Sequence, residues 1–156
     1  MELHKIIQGC FAMEQTVSFI YKYFIQLFPD DKNFWMELYN DEIEHSSWLS
    51  KASFTAMIDL LPSTDIIPTL ELVNNSVRFA EERNKAIHSN PLSFEDALDI
   101  ALKLEKTMVE TFTNELIANV LSVDYESLSD RIIMSEKEHI AKIEDMMMRK
   151  GSLQLS

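Results

Sequence analysis

Glu42-Ile43-Glu44-His45 and Glu136-Lys137-Glu138-His139 carry the same pattern, Glu-x-x-His, at two places in the chain. Each copy lies in a stretch rich in strong helix-forming residues. Two further glutamates, Glu14 and Glu105, precede the copies by 28 and 31 residues, respectively. The repeated order of Glu and then Glu-x-x-His indicates an internal duplication, in which four helices contribute acidic residues to one interior site.

The spacing within each copy favours metal binding. Glu42 and His45 are three residues apart, so their side chains project from one helix face, about 60° apart around its axis. Glu136 and His139 have the same relation. All four follow the apolar spacing of their helices, and buried carboxylates that face one another are unfavourable unless cations compensate them. The sequence therefore predicts a buried two-metal centre.

The ligand types narrow the choice of metal. Carboxylate oxygens with one imidazole nitrogen for each metal suit iron or manganese, and the centre contains no thiolate of the kind that structural zinc sites prefer. The expected cofactor is two iron ions, with manganese as second choice and zinc as third.

Length and composition agree with a helical protein. A chain of 156 residues fits one domain, here residues 1–156. With only 2 Gly and 4 Pro, the sequence has little of the turn chemistry that a many-stranded β fold needs. The expected fold class is all-α.

Charge and cysteine content exclude several kinds of partner. The formal net charge of −12 has the wrong sign for binding nucleic acid or an anionic membrane surface. No uninterrupted apolar stretch approaches the length of about 20 residues that spans a membrane. Cys10 is the only cysteine, which excludes an internal disulfide. These features predict a cytoplasmic location.

The first two helices are delimited by proline. We expect the first helix from about residue 2 to 28, followed by a break at Pro29-Asp30-Asp31. The second begins at about Lys32 and ends by Pro62. Gly9 interrupts the first helix and indicates either a close approach to another helix or a kink.

The second half of the chain repeats this arrangement. An amphipathic helix from about Leu70 is expected to lie outside the main bundle and to end at Asn90-Pro91. Ser93-Phe94-Glu95-Asp96 has the form of an acidic capping box, which begins the next helix. Ser122 or Asp124 caps the last helix. The expected fold is therefore a four-helix bundle, in which two antiparallel helix pairs are joined by a long crossover that carries an extra helix.

This combination resembles the ferritin-like di-iron carboxylate proteins and, within them, the rubrerythrin family. The resemblance covers nearly the whole chain. It rests on Ala12-Met13-Glu14 with Tyr21, on Asp41-Glu42-Ile43-Glu44-His45, on Ala101-Leu102-Lys103-Leu104-Glu105-Lys106 and on Ser135-Glu136-Lys137-Glu138-His139.

The resemblance implies a role for each residue of the motifs. Two carboxylates would bridge the metals, two would be terminal ligands, each histidine would bind one metal, and a tyrosine would lie beside the centre. Glu42 and Glu136 would be the bridging carboxylates, and Glu14 and Glu105 the terminal ones. His45 and His139 would be the histidine ligands, and Tyr21 the tyrosine beside the centre.

The implied function is that of a di-iron oxidoreductase, which reduces hydrogen peroxide or reacts with dioxygen. The chain lacks the cysteine pairs of a rubredoxin module, so a separate donor protein such as a rubredoxin would supply electrons. Many rubrerythrins have a further glutamate where this chain has Met108. On a continuous helix Glu110 would lie about 140° from Glu105, so it is not expected to replace that glutamate. The family and the aromatic residues Phe19 and Tyr23 suggest a homodimer.

Two other functions use the same residues. The centre would be a ferroxidase or iron-binding site if the protein takes up more than two iron ions per chain. The chain would instead be a non-enzymatic helical module, with a structural or vestigial metal site, if its bound metal supports no turnover.

Overall fold

A computed structural model of the chain describes residues 2–51, 68–107, 109–110, 113 and 126–150, with side chains described except at 2–4, 48, 50–51 and 126–136. Most residues in these ranges are helical, and the ranges contain no strand. The helices are α1 (Glu2–Leu27), α2 (Lys32–Lys51), α3 (Leu70–Ser89), α4 (Phe94–Glu105) and α5 (Glu126–Arg149). The expected all-α class is confirmed, and the arrangement is compatible with a helical bundle.

A short connection joins α1 to α2. Phe28 leaves the helical conformation with φ −124° and ψ 71°, and a single 3-10 turn, Pro29–Asp31, leads into α2 at Lys32. Proline is well suited to the first position of such a turn because its φ is already fixed and it needs no amide partner. The two helices pack along each other. The predicted break between them is confirmed.

The extra helix expected outside the main bundle is α3, and it packs directly against α1. Val73, Ala80 and Ile87 recur every seven residues on α3 and are all buried. A Cβ atom added at Gly9 of α1 would lie 2.3 Å from Val73 Cγ1. Of the two roles expected for Gly9, the structure therefore supports the close approach to another helix.

Capping residues define the ends of α3 and α4. Thr69 Oγ1 accepts a hydrogen bond from the Leu72 amide at 3.1 Å, which begins α3. The predicted capping box is present at α4, where Ser93 Oγ accepts from the Asp96 amide at 3.0 Å. In return, the Ser93 amide donates to Asp96 Oδ2 at 3.4 Å. These bonds satisfy amides that have no partner within the helix.

The last helix, α5, packs against α4. It is described from Glu126 onward, so the predicted caps at Ser122 and Asp124 lie outside the described residues, as does the predicted end of α2 at Pro62. The chain thus has one packed pair formed by α1 and α2, and another formed by α4 and α5.

Aromatic side chains fill the core where α1, α2 and the start of α4 meet. The ring of Trp35 lies 4.7 Å from that of Phe24 and 5.8 Å from that of Phe94, measured between centroids. The ring of Tyr21 lies 6.0 Å from that of Trp35 and 6.4 Å from that of Phe24. Buried aromatic rings contribute much of the stability of a small core. This cluster holds α1 and α2 together next to the acidic residues.

No helix among the described residues combines the length and apolar character needed to cross a membrane. Phe19 is 57% exposed on α1, whereas Tyr23 is partly buried and packs edge-on against His88 with ring centroids 4.1 Å apart. Of the two aromatics expected at the surface, Phe19 is therefore the exposed one.

Candidate metal centre

The two packed pairs place the predicted acidic residues in the interior. Glu14 lies on α1, Glu42 and His45 lie on α2, and Glu105 is the last residue of α4. The exposed fractions are 0%, 1%, 6% and 2%, respectively. Carboxylates are almost never buried so completely unless something compensates their charge.

Four of the buried side chains form a compact cluster. Glu14, Glu42, His45 and Glu110 each offer a ligand atom, and these atoms all lie within 4.8 Å of one another. We call these residues the four-residue group. Three carboxylates and one imidazole make a donor set that iron, manganese or zinc can accept. The four-residue group could hold a metal ion.

The structure corrects the expected position of Glu110. On a continuous helix its side chain would point away from that of Glu105. The helix is not continuous: α4 ends at Glu105, Lys106 has φ −89° and ψ 3°, and helical structure resumes at Val109 and Glu110. The interruption changes the direction of the side chains that follow it. A signal in the sequence is Thr107, which stands three residues before Glu110 as in an N-cap motif.

Most polar atoms of the four-residue group have no hydrogen-bond partner in the described part of the chain. Among the described residues, both oxygens of Glu14, both of Glu110, Glu42 Oε2 and His45 Nδ1 are buried without a hydrogen bond. Buried polar groups in native proteins are nearly always satisfied, and each exception costs free energy. A cation bound among these atoms would satisfy them together, so the residues present fit a metal.

The pKa values describe how protons are held when no cation is present. Burial raises the pKa of Glu42 and of Glu110 well above the ordinary range, and neighbouring carboxylates raise them further. Burial also acts to raise the pKa of Glu14, but its interactions with Glu42 and His45 outweigh burial and lower it. Burial disfavours the charged form of His45, yet nearby Glu14 raises its pKa, with Nδ1 3.6 Å from Glu14 Oε2. The apo group therefore retains protons on Glu42 and Glu110 around an ionised Glu14.

Tyr21 lies next to the cluster and contacts Glu105. Its hydroxyl donates a hydrogen bond of 2.7 Å to Glu105 Oε1, and both residues are buried. Burial raises the pKa of Tyr21 well above its ordinary value, and the charge of Glu105 adds to this effect. Burial likewise raises the pKa of Glu105. The phenol therefore stays protonated and holds one Glu105 oxygen in place.

His139 is buried on α5, outside the four-residue group, and its Nε2 forms a short contact with Asp41 Oδ2. Burial would lower the pKa of His139, but Asp41 raises it above its ordinary value. Metal-bound histidines commonly use their second ring nitrogen in such a contact with a carboxylate. Sequence reasoning missed Asp41, although it directly precedes Glu42. Glu136 lies on α5, and its side chain is outside the described residues.

Cys10 and Thr113 border the cluster on the side of Glu110. Cys10 is fully buried, and burial raises its thiol pKa to about 12. Thr113 is also fully buried, and its interaction with the Cys10 thiol opposes part of the effect of burial on that pKa. Cys10 thus occupies the place of a small buried side chain near Glu14, with its thiol protonated.

Comparisons of the chain with protein-family models, with curated proteins and with solved structures found no match. What the protein does is therefore inferred from its own residues and their geometry.

Proposed function

We propose that the protein is a non-haem di-iron oxidoreductase that reduces hydrogen peroxide, or reacts with dioxygen, using electrons from a separate donor protein. The observation that carries the proposal is the buried four-residue group, in which five of the six carboxylate oxygens have no hydrogen-bond partner among the described residues. Iron, when bound there, would supply the redox chemistry. The fold proposed with it is a ferritin-like bundle of the rubrerythrin type.

The ligands divide into two sets. One ion would be held by the four-residue group, and Glu42 would also contact the second ion, as the resemblance to rubrerythrins implies. The second ion would be held by Glu105, Glu136 and His139. Asp41 orients the ring of His139, in keeping with the carboxylate–histidine contacts that tune many metal centres.

The surrounding residues position the ligands and exclude water. Tyr21 keeps its proton and directs it at Glu105, which fixes that carboxylate before any ion arrives. Tyr21, which contacts Glu105, packs with Phe24 and Trp35, and all three rings are fully buried. Electrostatic interactions are stronger in such a dry setting, so the carboxylates would strongly favour a more highly charged ion.

The proposed partners follow from the proposed reaction. Peroxide or dioxygen is small enough to reach a buried centre, whereas an electron donor such as a rubredoxin would dock at the surface. A homodimer in the cytoplasm completes the proposal, and the exposed ring of Phe19 is a candidate contact between subunits.

The test begins with protein loaded anaerobically with ferrous iron and then mixed with hydrogen peroxide. We expect rapid oxidation, followed optically, and catalytic peroxide consumption when a reductant is supplied. Glu42→Ala and His139→Ala should abolish both, because each removes a ligand. Glu44→Gln is the matched control, since Glu44 is an exposed carboxylate two residues from Glu42 and should behave as wild type.

Three results would reject this function. Loaded protein that oxidises no faster than free ferrous ion is not an oxidoreductase of this kind. Uptake of many iron ions per chain would indicate iron handling. Bound metal that raises the melting temperature without turnover would indicate a structural site.

A further inference from the structure

The interruption after α4 determines where Glu110 lies. The backbone at Lys106 leaves the α-helical conformation, and helical structure resumes at Val109 and Glu110. On an uninterrupted helix Glu110 would lie about 140° around the axis from Glu105. Both residues are instead buried, at 1% and 2% exposure, and Glu110 joins the four-residue group.

The side chain of Thr107 links the two sides of this interruption. Its hydroxyl donates to the Leu104 carbonyl at 3.1 Å, and the same oxygen accepts a hydrogen bond from the Glu110 amide at 3.2 Å. Threonine is a preferred N-cap residue, and the amide three positions later is a usual partner of the cap. One hydroxyl therefore connects the last turn of α4 to the turn that carries Glu110.

The N-cap at Thr107 differs from the capping box at the start of α4 in the role of the acidic side chain. Ser93 and Asp96 make the reciprocal pair of a complete capping box. At the interruption the Thr107 amide instead donates to the Leu104 carbonyl at 3.3 Å, and both Glu110 oxygens are buried with no hydrogen-bond partner among the described residues. The Glu110 carboxylate is therefore not used in capping and remains available to the four-residue group.

We propose that Thr107 is a positioning residue for the metal centre, because its N-cap begins the helical turn that places Glu110 among the ligands. The inference rests on the proposed function to the extent that the four-residue group holds an ion. The hydroxyl of Thr107 bonds to the backbone on both sides, at the Leu104 carbonyl and at the Glu110 amide. Its effect on an ion would be exerted through the orientation of Glu110.

The test measures the binding of cobalt(II) alone, by calorimetry and by its visible absorption, which reports ligand number. Thr107→Val keeps the shape but removes the hydroxyl, and we expect its tightest site to weaken by about 10- to 100-fold, the range for lost supporting contacts in metal sites. Glu110→Gln should give a similar loss and the same spectral change. Thr107→Ser retains the cap and should bind as wild type does.

Two comparisons separate positioning from a general loss of stability. In the double variant Thr107→Val/Glu110→Gln, cobalt affinity should be no weaker than in Glu110→Gln, since both changes act through one ligand. Thr69→Val removes the corresponding cap of α3 and should lower the melting temperature but leave cobalt affinity unchanged.

The inference is overturned if Thr107→Val binds cobalt as tightly as wild type, or if it weakens binding equally in the Glu110→Gln background. If Thr107→Val does not fold, the cobalt affinities of Thr107→Ala and Thr107→Ser are compared instead, and equal affinities overturn the inference. A protein that shows these cobalt dependences but does not consume peroxide in its ferrous form would retain the inference and reject the oxidoreductase. A wild type that binds no cobalt would reject both.

Discussion

Charged residues occupy some core positions that apolar residues usually fill. Glu14 and Glu42 occupy interior helix positions of the kind filled elsewhere by Met13, Val17 and Leu38, all of which are fully buried. A buried carboxylate in such a position stabilises the fold only with a compensating partner. Among the described residues, the oxygens of Glu14 have no hydrogen-bond partner, and the group that they belong to could hold a cation.

Cys10 allows a prediction at the same scale. Because the thiol is fully buried and its pKa is raised to about 12, it should not react with a thiol reagent in the native protein at pH 8, whereas denatured protein should react fully. Labelling followed by absorbance measures this directly. A cysteine placed at exposed Gln8 in a Cys10→Ala background is the positive control. Rapid labelling of native Cys10 would contradict the burial described.

At the scale of elements, the contact between α1 and α3 depends on the absence of a side chain at Gly9. A methyl group there would lie 2.3 Å from Val73 Cγ1, and the stiff, β-branched valine has little freedom to move away. This contact explains why α3 packs on the bundle. Helix propensity alone would favour alanine at this position by about 1 kcal/mol.

We therefore expect Gly9→Ala to destabilise the protein, because overpacking of about 1–3 kcal/mol exceeds the gain in helix propensity. Chemical denaturation measures the change. In a Val73→Ala background, where the methyl group has room, the same substitution should be neutral or stabilising. An equal effect of Gly9→Ala in both backgrounds would mean that the two helices do not approach so closely.

The elements also show what can be predicted from the sequence. Ser93 and Asp96 predicted the start of α4 correctly, since a capping box depends on neighbouring residues alone. The inward positions of Glu14, Glu42 and Glu105 followed from helical periodicity. The position of Glu110 was predicted wrongly because helical periodicity assumes a continuous helix, and the helix is interrupted after Glu105. Thr107, a possible N-cap residue, was the signal of this interruption. The contact of His139 with Asp41 joins distant helices, and no local pattern reveals it.

For the whole molecule, the carboxylate cluster makes stability depend on pH, and a metal bound there would change that dependence. The folded-state pKa values of Glu42, Glu105 and Glu110 are raised above the ordinary 4.5. Their contribution to stability is thus present below that value and is lost as pH rises through the raised pKa. The pKa of Glu14 is lowered, so its contribution to stability has the opposite pH dependence. The three groups with raised pKa values outnumber it, so we expect their pH dependence to prevail.

The expected result is that chelation lowers the melting temperature more at pH 8 than at pH 5. Above the ordinary carboxyl range the metal-free core must either keep protons that the unfolded chain has released or ionise buried groups, whereas a bound metal would compensate the ionised carboxylates. Circular dichroism with and without chelator, at constant ionic strength, measures the difference. The Glu42→Gln/Glu110→Gln variant should lose most of this pH dependence. If the loss of melting temperature caused by the chelator became smaller as pH rises, the assignment of these groups to one cluster would be contradicted.

The position of Glu110 has a further consequence, for folding. An ion held by Glu14 and Glu110 would connect the first helix to a segment almost a hundred residues later, as a reversible cross-link. Closing so long a loop is slow and entropically costly. Metal would therefore act late in folding, after α1 and α2 have paired locally, and would mainly slow unfolding. The two halves of the chain would then be held together as much by coordination as by packing.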